Sequence, residues 1–380
     1  MQILHVTPHL PPDQAANALL PLQLGEWASE AGDRVEYVAH PPRAKGSALL
    51  PGTATWVPRR ADGRLARSLG TGALTSAWQI YHALSAPLGR ADLVHVHSNG
   101  LLAEIAVLLA RRRHTPVVMT MYGTEIWHYE PKRRGPDLFT RAYHVASAVT
   151  FYSERLRARA RELGLTRREM HAIYPPVAPA FQWHDESAQA HERESLHLPS
   201  RHLLVNVKRL HPLAGQRYLI EAMSEVVRTH PDTRLVICGT GPERNALELL
   251  AKSMGVERHV TFAGLVDNAT VARYCAAADL FVLPSLLEAL PTVAIEALAS
   301  GTPVLSSDNP GGLELNDVFG PDVFIVARQQ SGALADAITY FLEHKHRTST
   351  ATRVILEREF GPKAVAAKYR ALYEHVRELP

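Results

Sequence analysis

Cysteine is scarce: Cys238 and Cys275 are the only two, they stand far apart, and both sit in apolar runs. That spacing excludes a disulfide framework and a cysteine metal cluster and gives no sign of an oxidising compartment. Long apolar runs are missing, so no membrane-spanning helix is expected. The opening Met1-Gln2-Ile3-Leu4-His5-Val6 has neither a charged leader nor a small-residue cleavage site and reads as a strand. A cytoplasmic protein is the expectation. No charge of one sign dominates: the formal net charge is +3, too near balance to make nucleic acid the main partner. Basic clusters are local, at Arg59-Arg60, Arg111-Arg112-Arg113 and Lys132-Arg133-Arg134. They read as solvated surface, with a patch for anionic substrates or lipid headgroups as the sharper alternative.

What is present is ordinary globular material, 46% apolar and 21% charged over 380 residues, enough for two cores and longer than one core usually grows. Apolar, β-branched runs alternate with amphipathic stretches. Strands are expected at Ile3–Val6, Val35–Val38, Leu93–His97, Val117–Thr120 and Val149–Tyr152, with helices through Leu19, Leu22 and Trp27 and from Leu101 to Arg112. The polar, His- and Glu-rich segment His184–Ser200 has no period and reads as a linker. A second alternation follows, with strands at Leu203–Val207, Leu235–Cys238, Val260–Phe262, Leu280–Leu283 and Pro303–Leu305. Its helices run from Arg217 to His230, Glu243 to Met254 and Pro291 to Ser300, and a last one runs from Pro362 to Glu378. This is the pattern of an α/β protein with two doubly wound parallel sheets. The expected domains are residues 1–183, residues 184–361 and a terminal helix, 362–380, that packs back on the first. Such folds place ligands beyond the carboxyl ends of their strands. At this level a dinucleotide enzyme, a sugar-nucleotide epimerase and a two-lobed binding protein all remain open.

The segment Glu288-Ala-Leu-Pro-Thr-Val-Ala-Ile-Glu296 carries the chemistry. Pro291 suits the first turn of a helix, since its missing N–H is not needed there. Leu290 has no side chain to cap that helix, so the N–H groups of Thr292, Val293 and Ala294 are left for an anion or for water. Glu296 lies about one turn in and can accept from two neighbouring hydroxyls, as ribose offers, while Glu288 precedes the helix and can accept from sugar hydroxyls. Acids on both sides of an anion site suit a ligand with phosphate at its centre and a hydroxyl-rich group at each end.

These residues resemble the signature of the retaining GT-B glycosyltransferases of family 4, the glycogen-synthase-like type with a Glu-x7-Glu motif. The resemblance extends to Gly239-Thr240-Gly241-Pro242, Phe262-Ala263-Gly264, Ala278–Ser285, Gly311-Gly312 with Glu314, and the opening strand Ile3–Pro8. It covers nearly the whole chain and is most specific in the second domain. It implies two facing Rossmann-like domains and transfer from a nucleotide-diphosphate sugar with retention, without metal or cofactor. Glu288 and Arg209 would act at the reacting centre. Lys208, Gly264, Leu265, Leu290, Pro291, Thr292, Val293 and Glu296 would hold the donor: sugar at Glu288, diphosphate at Thr292 and Val293, ribose at Glu296, and base near Gly264 to Asp267.

Three departures stand out. The family's lysine shortly after the phosphate arginine is replaced by Ala214, in Arg209-Leu210-His211-Pro212-Leu213-Ala214-Gly215, with Lys208 and Arg217 as possible stand-ins. The first loop, Pro11–Asn17, lacks the paired glycines. Tyr122 stands where the family often has histidine. Tyr122, Glu125, His97 and Asn17 are the acceptor-side candidates, with a structural turn as an equal reading for Met121–Glu125. His95 and His97 share a strand face, where burial or cleft lining is favoured over metal binding. The acceptor is a small molecule, a saccharide or a lipid-linked group. The lipid option rests on Arg59 to Arg67 preceding an apolar stretch around Trp78, Ile80 and Leu84. The alternatives are a sugar-nucleotide binding protein without turnover and an epimerase of the same architecture.

Overall fold

The structure, a computed structural model, describes residues 1–13, 15–44, 46, 48–59, 72–131, 137–198 and 201–379. Gln14, the arginines from Arg60 to Arg67, Lys132-Arg133-Arg134 and Ser200 lie outside the described residues. The chain forms two compact units, Met1–Pro175 with Val365–Pro380, and Pro176–Ala364.

The first unit is built on a parallel sheet. Its strands are β1 (Gln2–Thr7), β2 (Arg34–Ala39), β3 (Thr53–Trp56), β4 (Leu93–His97), β5 (Val117–Met121), β6 (Ala148–Phe151) and β7 (Met170–Ala172), in the order β3-β2-β1-β4-β5-β6-β7. Successive side chains point to opposite faces, so Leu4, Val6, Val94, Val96 and Met119 meet the helices Gly72–Arg90 and Leu101–Arg112 on one side. On the other side Ile3, Leu93, Val118 and Ala148 meet Leu20 and Leu24 of the helix Ala16–Glu30. The same face is covered by Val365, Tyr369, Leu372, Tyr373 and Val376 of the helix Pro362–Glu378. Their helical spacing puts all five on one stripe. The last helix of the chain is thus a wall of the first unit's core.

The second unit repeats the plan with β8 (His202–Val207), β9 (Thr233–Cys238), β10 (Val260–Gly264), β11 (Leu280–Leu283), β12 (Val304–Ser307) and β13 (Val323–Val326), all parallel and ordered β10-β9-β8-β11-β12-β13. In each sheet the strand order reverses once, between β1 and β4 and between β8 and β11. A crevice opens at such a reversal beyond the carboxyl ends of the strands, because the following loops run off in opposite directions. Both cysteines are buried free thiols, and burial pushes the Cys238 thiol up to about 12.

Two expectations need correction. Strands β3, β7 and β13 escape the sequence reading; all three sit at sheet edges and are three or four residues long, so burial writes little pattern into them. The supposed linker contains a helix, Glu186–Ser195, with no buried residue. Polar contacts hold it in place of an apolar stripe. Asp185 caps it by accepting from Ala188 N at 2.8 Å, Gln189 donates to Ala278 O at 2.6 Å, and Arg193 pairs with Asp279 at 3.1 Å. A helix anchored this way leaves no hydrophobic period to find.

Candidate functional site

The donor-side candidates gather at the β8/β11 reversal of the second unit. Lys208 and Arg209 leave the end of β8, and Glu288 lies in the loop that follows β11. The first loop is pinned from behind by the turn after β9. Lys208 N donates to Cys238 O at 3.0 Å, Leu210 N to Thr240 O at 3.0 Å, and Gly239 N to Gly264 O at 2.6 Å. Gly239 has φ +138, and a Cβ there would stand 2.1 Å from Lys208 O. This glycine therefore serves close backbone packing under the site.

Glu288 is nearly buried, and its Oε1 lies 2.6 Å from Lys208 Nζ. Its carbonyl accepts from Gly311 N at 3.0 Å. A Cβ on Gly311 would fall 2.9 Å from Glu288 Cβ and 2.8 Å from Pro291 Cδ, so only glycine lets the two segments lie this close. Asn309 ties the neighbouring loops together, donating to Ser285 O at 3.0 Å and accepting from Gly312 N at 3.0 Å. The sequence reading missed Asn309, and a polar residue before Pro310 at a helix start was the available signal.

The helix after this loop spans Thr292–Ala299, and Pro291 itself is the capping residue, with φ −81, ψ 92 and no side-chain cap. The expectation that the helix begins at Pro291, with Leu290 just before it, is off by one. Ala294 N bonds Pro291 O at 3.0 Å, so of the three N–H groups expected to be open only those of Thr292 and Val293 lack a partner among the described residues. Two open donors at the positive end of a helix suit an anion. Glu296 sits one turn further on, where burial pushes its carboxyl up to about 7. Gly264 closes β10, and Leu265 beside it is 75% exposed.

Of the two stand-ins considered for the missing lysine, only Lys208 joins the group. Arg217 is exposed and pairs within its own helix with Glu221 at 3.3 Å. Ala214 is buried at the end of the turn Pro212–Ala214. Arg209 is exposed, and among the described residues no carboxylate pairs with it.

The acceptor-side candidates lie in the first unit, and three of the four are tied to one another. His97 Nδ1 and Tyr122 OH are 2.8 Å apart. The buried Glu125 carboxylate accepts from Gly123 N at 2.8 Å, Tyr122 N at 3.3 Å and the Ser98 hydroxyl. Its lone pairs are thus spent on the turn after β5, which is the structural reading. Asn17 stands apart, its carbonyl accepting from Thr7 Oγ1 at 2.6 Å.

A histidine network, not anticipated at this size, lies beneath them. His5, His95 and His97 are fully buried on β1 and β4. His5 Nδ1 is 3.0 Å from His97 Nε2, and His95 is bonded to Tyr373 OH at 2.6 Å and Thr120 Oγ1 at 2.7 Å. One nitrogen from each ring lies within 4.8 Å of the others, near enough to share an ion. Yet both nitrogens of His95 and both of His97 already have hydrogen-bond partners, which is the geometry of a neutral network. Burial, and then the neighbouring imidazoles, hold His95 and His97 well below the ordinary value, and burial alone takes His5 to about 3. The unfolded chain takes up these protons below about 6.5 and the folded chain does not, so stability is expected to fall as pH drops from 6.5 towards 3. The check is thermal melting from pH 8 to pH 5, roughly the span over which ordinary histidines charge. Wild type should lose melting temperature on acidification, and His5→Gln should lose less.

The comparisons with known proteins meet this geometry. Residues 188–355 match the family model described as Glycosyl transferases group 1, and residues 21–176 match that of a Glycosyl transferase 4-like domain. The putative teichuronic acid biosynthesis glycosyltransferase TuaC of Bacillus subtilis is 33% identical over 258 residues, 67% of this chain and 62% of that protein. A GDP-mannose-dependent phosphatidylinositol monomannoside mannosyltransferase of Mycolicibacterium smegmatis is 31% identical over 62% of this chain and 66% of its own length. The matched stretch thus spans just under two thirds of these relatives. Among solved structures, HepE of Anabaena in complex with UDP aligns with a TM-score of 0.77 at 19% identity, over 99% of this chain and 100% of that one. Sucrose-phosphate synthase from Thermosynechococcus elongatus aligns at 0.74 with 21% identity, over 99% of each chain. Such likenesses establish the GT-B fold. The two family models between them span most of the chain, which is a member of the group 1 glycosyl transferases with a glycosyl transferase 4-like amino-terminal domain.

Proposed function

We propose that the protein transfers a sugar from a nucleotide-diphosphate sugar to a hydroxyl of a saccharide, small-molecule or lipid-linked acceptor, with retention of anomeric configuration and without metal or cofactor. The observation that carries this reading is the assembly at the β8/β11 reversal: Glu288 against Lys208, two open N–H groups at Thr292 and Val293, and Glu296 one turn along. Family membership supports it, as do relatives named as glycosyltransferases and a structural neighbour that holds UDP.

In this reading the diphosphate sits on the Thr292 and Val293 N–H groups, Glu296 accepts from the ribose hydroxyls, and the base lies near Gly264 and Leu265. Glu288 accepts from the donor-sugar hydroxyls. The acceptor oxygen attacks the anomeric carbon from the face that the phosphate leaves, and the departing phosphate oxygen takes the acceptor's proton. Catalysis then rests on positioning and on neutralising the leaving group. Arg209 supplies one cation, and Lys208 supplies the second in place of the absent lysine at position 214. Lys208 moves from Glu288 to the diphosphate as the donor binds, which frees the carboxylate for the sugar. The acceptor is bound by the amino-terminal unit, on the side of Asn17 and Tyr122.

The test is a screen of nucleotide-diphosphate sugars for thermal stabilisation, followed by transfer and donor-hydrolysis assays on the stabilising donor. A donor that raises the melting temperature and is turned over supports a transferase. Stabilisation without turnover supports a binding protein, and isomerised donor without acceptor supports an epimerase. Lys208→Met should lower kcat roughly 10- to 100-fold, the range for losing one charged hydrogen-bond partner. An unchanged kcat in Lys208→Met would remove that residue from the leaving-group site.

A further inference from the structure

The first unit gathers cations beyond the carboxyl ends of its strands, beside the β1/β4 reversal. Arg59, read from the sequence as part of a basic surface cluster, follows β3 and is half-buried. Its Nη2 donates to Pro41 O at 3.2 Å and lies 3.4 Å from His9 Nδ1 and 3.7 Å from Asp13 Oδ2. Asp13 is buried and fully engaged. Its Oδ1 accepts from Arg43 N at 2.8 Å and Ala44 N at 2.9 Å, and its Oδ2 accepts from His9 Nδ1 at 2.8 Å. A carboxylate so placed stitches the loops after β1 and β2 together. Thr7 Oγ1 lies 2.6 Å from Asn17 O and 2.9 Å from His9 O, so the acceptor-side candidate Asn17 belongs to the same arrangement.

The basic groups here outnumber the acids that answer them. The described loops after β1, β2, β3 and β4 carry one carboxylate, Asp13, against Arg43, Arg59, His9 and His40. Glu104 comes next, in the first turn of the helix Leu101–Arg112, and Glu125 after β5 is spent on its own turn. Burial and then the Arg43 charge lower the Arg59 value, and Asp13 opposes them without prevailing. Burial also lowers His40; its bond to Val57 O opposes this, and Arg59 and His9 add to it. Like charge is thus crowded and under-compensated. Among the described residues the Arg43 guanidinium, Arg59 Nε and Nη1, and His9 Nε2 have no hydrogen-bond or carboxylate partner. Arg59 offers its outer edge as a fork, the geometry that suits a phosphate or a carboxylate. His40 also borders a cavity of about 230 Å³, lined with it by Thr7, Pro8 and Asn99. Its Nδ1 donates to Val57 O at 2.8 Å, which leaves Nε2 for a ligand.

We propose that Arg43, Arg59 and His9 bind an anionic group of the acceptor, a phosphate or a carboxylate, and so select acidic acceptors over neutral ones. The role as an acceptor subsite rests on the sugar-transfer reading, which puts the acceptor on this unit near Asn17. A neutral sugar leaves two guanidiniums uncompensated side by side, whereas an anion completes the charge and fills the fork. The donor's diphosphate is the other source of the same chemistry, and the test separates the two.

The test is isothermal titration of the full chain with glucose, glucuronate and glucose 6-phosphate, which carry no charge, a carboxylate and a phosphate on one sugar frame. At least one anionic sugar should bind about tenfold or more tighter than glucose, the scale of a charge-assisted hydrogen bond. Salt should erode that preference. Arg59→Gln should remove most of it. Arg43→Gln should weaken it several-fold with the melting temperature unchanged, because that side chain is exposed and only its backbone N–H holds the loop. Anionic sugars that bind no better than glucose overturn the proposal, as does a preference that Arg43→Gln leaves intact. A preference abolished by saturating nucleoside diphosphate (UDP or GDP, whichever raises the melting temperature) also overturns it, by assigning the cations to the donor. Donor turnover by wild type is read separately. Its absence sinks the sugar-transfer reading and leaves an anion site, whereas turnover without anion preference sinks this proposal alone.

Discussion

Sugar transfer by the Glu288→Gln protein is expected to run about a hundredfold or more below wild type in kcat, the scale of losing one oriented group at a reacting centre. Binding of the nucleoside diphosphate alone should stay within about threefold, because that ligand lacks the sugar which Glu288 is proposed to hold. The amide keeps the shape of the carboxylate and removes its charge. Two things are lost together: an acceptor for the donor-sugar hydroxyls, and the counter-charge that holds Lys208 Nζ at 2.6 Å. The carboxylate's near burial makes substitution by water a poor replacement. Steady-state kinetics with the stabilising donor, beside calorimetric binding of the diphosphate, separates the two quantities. Equal losses in kcat and in diphosphate binding would show that Glu288 supports the loop and does not hold the sugar.

The second large effect belongs to Glu296. Glu296→Gln should weaken nucleotide binding roughly 10- to 100-fold, the range for a charged hydrogen-bond partner. The pH dependence sharpens the expectation. Burial holds the free carboxyl at about 7, while a carboxylate is needed to accept from both ribose hydroxyls. Binding therefore has to expel a proton below that value. Affinity should be flat above pH 7 and fall as pH drops below it, tending towards about tenfold per unit. Glu296→Gln should bind weakly and without that slope. Folding stability runs the other way at this one residue. A raised carboxyl binds its proton more tightly folded than unfolded, so Glu296 adds stability as pH falls from about 7 towards 4.5, against the larger loss at the buried histidines. Isothermal titration at several pH values, with melting curves alongside, resolves both signs.

The parts of this molecule that were legible in the sequence are those whose residue choice is dictated by local physics. The central strand Leu280–Leu283 is buried on both faces and appears as an unbroken apolar run. The helix start at Pro291–Val293 was legible because proline and the lack of a capping side chain are local facts, although its register was off by one residue. Long-range pairings were not legible. Nothing near Lys208 announces a partner eighty residues later, and nothing near His95 announces Tyr373. Histidines on β4 look like cleft lining until β1 and the terminal helix are laid over them. The exposed side of Trp78 was invisible for the same reason: sequence groups residues by neighbourhood, whereas a helix separates Trp78 from Ile80 by about 200°.

The terminal helix also bears on how the protein is made. The first unit's sheet is complete once Ala172 has emerged, yet one wall of its core, from Val365 to Val376, is made only after the whole of the second unit. Until then Ile3, Leu93 and Val118 lack their cover, and His95 lacks the Tyr373 hydroxyl. The second unit, Pro176–Ala364, lies wholly between these events and has every strand of its own sheet before the first unit can close. The ribosome thus starts the first unit before the second and finishes it after the second. For roughly ten seconds or more, at ordinary translation speed, the nascent chain carries an open apolar groove that a chaperone can occupy.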